Sequence, residues 1–272
     1  MVIWRRYFSS AGRPMVFKKM NKALAQAAPR EHVVRRLEQP VGMPQPPTAT
    51  TRYVEGNSML DMFSEEKTSR RAAELAAEFS KSGLYDAATF RKTNGKVFLP
   101  PASYWRAEHA RYFPHLSGIT LTGTRGSVED ALAGKVSVVK VFSCETGEGL
   151  ASSYFRHEGH DYLREDDVAP AQIVEVSLTE SWIKDWLVRL MTGRLRSLVP
   201  AARHERYFIC RRAQLPFTVR ESLELGNLYT GYVLVVDPQL KIRWMACGGA
   251  EKRDVELLWK CVRGVQREFS AS

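Results

Sequence analysis

The 272-residue chain has no run of the roughly 18 uncharged apolar residues that a spanning helix requires, and its strongest apolar stretch, Tyr232 to Val236, is bounded by Gly231 and Asp237. A helical membrane protein is excluded by this route. Cysteine is sparse: Cys144, Cys210, Cys247 and Cys261 stand far apart with no CxxC among them, which argues against a disulfide scaffold, a structural zinc site and a two-cysteine redox motif. Gly118, Gly123 and Gly126 are not followed by Lys-Ser/Thr, Gly248-Gly249 lacks a dinucleotide fingerprint, and no G-x-S-x-G occurs. Phosphate-loop, dinucleotide and serine-hydrolase chemistry therefore lack their usual residues. His157-Glu158-Gly159-His160-Asp161 gathers metal-capable side chains but not at HExxH spacing, so two solvated loop histidines are expected there rather than a metal site. Neither a catalytic residue nor a cofactor is expected.

Acidic residues are missing from the first thirty positions, which carry Arg5, Arg6, Arg13, Lys18, Lys19, Lys22 and Arg30. Seven of the ten net positive charges lie there. With Ser9, Ser10 and interspersed apolar residues, this is the composition of a mitochondrial transit peptide. The alternative is a retained basic arm that binds RNA or anionic lipid. The 44% hydrophobic content suits a real core.

We divide the chain into a basic N-terminus over 1–36, a Pro-rich linker over 37–57, a helical extension over 58–113 and a globular domain over 114–272. Ser58-x-x-Asp61 predicts a helix to about Ser82, ended by Gly83, and the following stretch to Phe113 reads as irregular chain. Ile119 to Leu121 alternates as a short strand, and Ser127-x-x-Asp130 predicts a short capped helix stopped by Gly134. Lys135 to Phe142 is nearly all apolar, as in a central strand covered on both faces. Gln172 to Leu178 is the next strand, and the long connection makes the pair a parallel βαβ unit. A helix is expected from Ser181 to Leu198, with Trp182, Trp186, Leu190 and Met191 on one side. Tyr229 to Val236 and Lys241 to Ala246 form a hairpin around Asp237-Pro238-Gln239. Alternation places Ile242 and Trp244 on one face with Lys241 and Arg243 on the other. Glu251 to Phe269 closes the chain as a helix.

The order β-α-β, α, β-β-α is that of an α/β thioredoxin-like mixed sheet with flanking helices, peroxiredoxin-like in its extra N-terminal strand, with Arg203 to Asn227 as an insertion before the hairpin. In that class the reactive thiol follows the first central strand, at a helix N-terminus. Cys144 holds the place, but Glu145-Thr146-Gly147 follows it, and the approach to the hairpin, Asn227-Leu228-Tyr229-Thr230-Gly231, lacks the expected cis-proline. A half-buried strand-end cysteine is favoured over a thiol oxidoreductase. The basic run through Arg194, Arg196 and Arg206, interleaved with Tyr207 and Phe208, suits an anionic or acidic partner or a solvated helix end.

Tyr112-Phe113-Pro114-His115-Leu116, Gly118, Thr120-Leu121, Arg206-Tyr207-Phe208, Asn227, Gly231-Tyr232-Val233, Asp237, Ile242-Arg243-Trp244, Gly248 and Ala250 together resemble the mitochondrial ATP synthase assembly factor family that chaperones membrane-sector subunit a. The resemblance spans Arg106 to Val265 and departs at Met245 and Cys247. It implies a non-enzymatic protein, peripheral on the matrix side of the inner membrane. Such a protein binds new subunit a and helps it join the subunit c ring, and nucleic acid is not its expected partner. An apolar partner needs an apolar groove with a charged rim. The expected groove is the vacant thiol cleft by Cys144, with Tyr229, Tyr232, Arg243, Arg194, Arg196 and Arg206 as its contact residues. A thiol oxidoreductase and an RNA- or ribosome-associated mitochondrial factor are the competing classes.

Overall fold

A computed structural model describes residues 32–53, 78, 83–165, 169–180 and 185–270. The chain divides into two units, residues 1–31 with 55–85 and residues 32–54 with 86–272, and every described strand belongs to the second. The transit-peptide reading of the N-terminus and nearly all of the helix expected from Ser58 to Ser82 lie outside the described residues.

At the centre stands β4 (Ser137–Phe142), all six residues buried, as its continuous apolar pattern predicts. It runs parallel to β7 (Gln172–Thr179), with Val139 opposite Val174, and antiparallel to β9 (Tyr232–Val236), with Val139 opposite Leu234. The outer partner of β9 is β10 (Lys241–Cys247). Around this quartet lie β1 (Arg111–Tyr112), β2 (Ser117–Thr120), β3 (Arg125–Ser127) and β8 (Tyr207–Arg211). The eight-stranded order is β1-β10-β9-β4-β7-β8-β2-β3. The four central strands carry the thioredoxin-like order read from the sequence.

Because side chains alternate across a strand, the sheet separates two apolar clusters. One joins Val139, Val141, Val174, Val176, Leu234 and Val236 to Phe98, Phe113 and Leu116. The other joins Val138, Ile173, Val233 and Val235 to Val255, Leu258, Trp259, Val262 and Val265, the last five spaced along α6 (Lys252–Ser270) as its helical pattern predicts. Four shorter helices are α1 (Gly83–Thr93), α2 (Val128–Leu132), α3 (Glu145–Ser152) and α5 (Phe217–Ser222), and α4 is Asp185–Leu198. The side chains of Trp182, Trp186, Leu190 and Met191 fall outside the described residues.

Local chemistry explains where the structure departs from the pattern reading. The register of β10 shifts between Ile242 and Trp244, so Ile242 packs with the first cluster and Trp244 with the second. A bulge inserts one residue and breaks strict alternation, and the residue at the irregularity is Arg243. The segment read as an insertion holds a full strand: β8 pairs parallel with β7, Val176 opposite Phe208, because Tyr207 to Cys210 are apolar enough to be buried. Helix α1 occupies chain expected to be irregular. Asp86 in its first turn and Arg91 and Lys92 in its last suit the helix dipole, and Asn94 and Gly95 follow it at φ 51° and 80°. Ser127 makes no side-chain cap to α2. The described part of the Pro-rich segment is fastened down. Arg36 bridges Leu99, Met43 bridges Tyr112, the Gly42 amide donates to Ser222, and Val41 is buried.

Candidate functional site

Cys144 follows β4 and is the N-cap of α3, its sulfur accepting from the Gly147 amide at 3.4 Å. Its S–H donates to the Tyr229 carbonyl at 3.5 Å. This is the position expected of a reactive thiol in such a sheet, yet the cleft beside it is filled by backbone. A Cβ on Gly231 would lie 2.0 Å from the Gly147 carbonyl oxygen, and a Cβ on Gly147 would lie 2.6 Å from that of Thr230. Only glycine permits so close an approach of two chains. The groove expected at this place is therefore absent.

The loop that closes the cleft is built by Asn227. Its Oδ1 accepts from the amides of Tyr229 (2.9 Å) and Thr230 (3.3 Å), and its Nδ2 donates to the Asp86 carbonyl. The Thr230 hydroxyl donates to the Gly95 carbonyl at 2.6 Å. The Asp86 carboxylate accepts from the Leu228 amide at 3.1 Å. Burial pushes the Asp86 carboxyl up to about 6, partly offset by that amide and by nearby Arg212. Sequence reasoning quoted Asn227 only as part of a resemblance; an asparagine two and three residues before backbone donors is an Asx-turn signal that could have identified it.

The six proposed contact residues do not form one surface. Tyr232 is 3% exposed, its hydroxyl donating to the Asn227 carbonyl and accepting the Asn227 amide. Arg243 is completely buried: it pairs with Asp237 at 3.2 Å and Glu268 at 2.5 Å, and donates to the Trp105 carbonyl at 2.7 Å. These carboxylates and the carbonyl give the hairpin arginine the partners its charge needs, and burial takes both Tyr232 and Arg243 out of reach of any partner. A charged group enters such a site only when its bonds are satisfied. Half-buried Tyr229 packs its ring against Phe90 at 6.1 Å. Arg206 donates to the carbonyls of Ile173 and Ala202. Arg194 and Arg196 are exposed at the end of α4 beside Leu198, which is 70% exposed, and Arg196 also donates to the Leu121 carbonyl.

Arg203, inside the same basic run, is buried and pairs with Glu175 at 2.7 Å, whose other oxygen holds Lys140 at 2.5 Å. The run thus serves two purposes: a buried charge network and an exposed helix end. Among the described residues no group of three metal-capable side chains converges. His160 pairs with Glu165 at 2.8 Å and His157 with Glu158 at 3.3 Å. Three of the four cysteines are buried, and burial raises the thiols of Cys247 and Cys261 to about 12 and that of Cys210 above its usual range. Reactive thiolates require the opposite environment.

The sequence profile of a family described as ATP10 protein matches residues 21–265. A protein of Eremothecium gossypii called mitochondrial ATPase complex subunit ATP10 is 94% identical over 271 residues, covering 100% of both chains. Its namesake in Saccharomyces cerevisiae is 44% identical, covering 94% of this chain and 97% of its own. Among solved structures, a yeast mitochondrial 1-Cys peroxiredoxin is 14% identical, covers 58% of this chain and 76% of its own, and superposes with a TM-score of 0.36.

Proposed function

This chain belongs to the ATP10 protein family, and from that premise we propose that it acts in mitochondria as an assembly factor of the ATP synthase complex. It works there as a non-enzymatic chaperone that helps membrane-sector subunit a join the subunit c ring. The observation that supports the non-enzymatic part is the glycine-sealed cleft: Gly147 and Gly231 approach too closely for any side chain between them, and the other three cysteines are buried away from Cys144. Peripheral contact with the inner membrane on the matrix side fits a chain whose described helices are none of them long and apolar enough to cross a membrane.

With Tyr232 and Arg243 buried, the surface that best suits an apolar partner with a charged surround is the end of α4, where exposed Leu198 stands between Arg196 and the chain leading to Arg206. An exposed leucine flanked by arginines can meet an apolar helix while its cations reach lipid phosphates. Site-specific photocrosslinking from position 198 in intact mitochondria tests this, with subunit a as the expected product. A crosslinker at exposed Glu256 is the control, and equal yields from the two positions would remove α4 as the contact surface. Cys144→Ser should leave ATP synthase assembly unchanged; loss of assembly with a folded variant would restore the thiol reading.

A further inference from the structure

A second concavity lies away from the sealed cleft, at the carboxyl ends of the parallel strands β7 and β8. Its volume is about 690 Å³, and its polar lining includes Arg52, Arg125 and Arg211 together with Tyr53, His115 and Thr179. The volume is in the range of small-ligand sites, and crevices outside the carboxyl ends of parallel strands are where open α/β sheets bind ligands.

The arginines reach it from three separate parts of the chain. Arg125 stands opposite Ile119, and Ile119 opposite Ile209; Arg211 is two residues beyond Ile209 and opposite Thr179. Residues directly opposite, and residues two apart on one strand, share a sheet face, so the pairing register itself places Arg125 and Arg211 on one side with Ile119 and Ile209 between them. Arg52 comes from the Pro-rich strap, held there by Tyr53, whose hydroxyl accepts the His115 amide at 2.7 Å.

Among the described residues, none of the lining side chains supplies a counter-charge to these arginines. Glu129, the nearest carboxylate by partner, is buried behind His115, which it binds, and also accepts the Leu116 amide. Arg52 spends one nitrogen on the carbonyls of Ala49 and Thr51. Among the described residues neither Arg125 nor Arg211 has an acidic partner, whereas neighbouring Arg212 is paired with Glu180 at 3.0 Å. Three guanidiniums gathered without counter-charge repel one another unless an anion joins them.

We propose that this groove binds a phosphate-class anion. A phosphate group presents several acceptor oxygens and near-double charge, which three guanidinium forks can share, while a single carboxylate would leave most of the donors unmatched. The groove is also a bounded volume, not the long track that an extended acidic peptide would need. Two sources offer the same chemistry, a phospholipid headgroup and a free phosphate compound. The inference does not rest on the chaperone reading.

The full chain should be titrated with inorganic pyrophosphate by calorimetry, and separately floated with phosphatidylcholine vesicles that contain or lack phosphatidic acid. Binding to pyrophosphate assigns a free phosphate ligand; retention only on phosphatidate vesicles assigns a headgroup. In either case Arg125→Glu with Arg211→Glu should weaken binding roughly tenfold or more. The exposed α6 pair Arg253→Glu with Lys260→Glu, which changes net charge equally, should leave it within about twofold, a shift far below one charge-assisted bond. Melting curves confirm that both variants fold. The assignment is overturned if neither probe binds, if the two variants lose binding alike, or if polyglutamate binds the groove and both phosphate probes do not.

Discussion

The sealed cleft and the arginine groove both lie at the carboxyl ends of parallel strands, yet they are built in opposite ways. At Cys144 the loop of Asn227 to Gly231 closes onto α3 until only glycines fit, and every polar group named there has an internal partner. At Arg125 and Arg211 the chain leaves space and, among the described residues, leaves charge without an acidic partner. One region invests its chemistry in stability, while the other holds chemistry that stability does not use. A fold with a known active-site position need not do its work at that position.

Substitutions should therefore separate the two regions by their effect on folding. The largest loss is expected at the hairpin that carries the cleft's lid. Arg243→Ala leaves Asp237 buried without its partner and should cost about 3–5 kcal/mol in denaturant unfolding. Gly231→Ala drives a methyl group into the Gly147 carbonyl and should cost about 3 kcal/mol by the same measurement. If Gly231→Ala were neutral, the cleft would be open in solution and the contrast with the groove would collapse; a neutral Arg243→Ala would mean that its carboxylate partners are solvated.

A smaller effect, of opposite sign, is expected at Asp86. Its carboxyl ordinarily titrates near 3.8 and is raised to about 6 by burial, so between those values the folded protein holds a proton that the unfolded chain has released. Stability is then full below about pH 4 and falls as pH rises through 6, because folding must keep an ionised carboxylate out of water. Asp86→Asn, which keeps an acceptor for the Leu228 amide, should flatten that slope and raise stability at pH 7 by about 1–2 kcal/mol. A variant with an unchanged pH profile would show that the carboxylate is solvated.

The smallest effect is expected in the groove. Arg125 and Arg211 are exposed and have no acidic partner among the described residues, so Arg125→Ala and Arg211→Ala should each change stability by no more than about 0.5 kcal/mol. A larger loss would mean that these side chains are structural, like Arg203.

Period and turn chemistry made the central quartet legible before any coordinates: β4, β7, β9, β10 and α6 appear where uninterrupted or regularly spaced apolar residues put them. What pattern could not supply was anything decided by a partner distant in sequence. The bulge at Arg243 depends on Glu268 and the Trp105 carbonyl, and without it Ile242 and Trp244 would share a face. The parallel pairing of β8 depends on β7, and its five residues alone read as part of an insertion. Tyr232 is expected from its position beside the Cys144 cleft to be a contact residue, whereas Asn227 holds its hydroxyl inside. The basic run illustrates the same limit, since nothing local distinguishes buried Arg203 from exposed Arg194. Arg125 and Arg211 are 86 positions apart, and only the strand register brings them to one face.

The placement of β10 has a consequence for the order in which the molecule can be completed. It lies between β1 and β9, so the strap and β1, early in the chain, find their sheet edge only once Lys241–Cys247 has arrived. Contacts this far apart in sequence carry a large loop-closure cost before they return any stability. A chain that enters a compartment N-terminus first would therefore keep β1, and the strap residue Met43 that bridges Tyr112, without a sheet edge until the C-terminal hairpin has crossed.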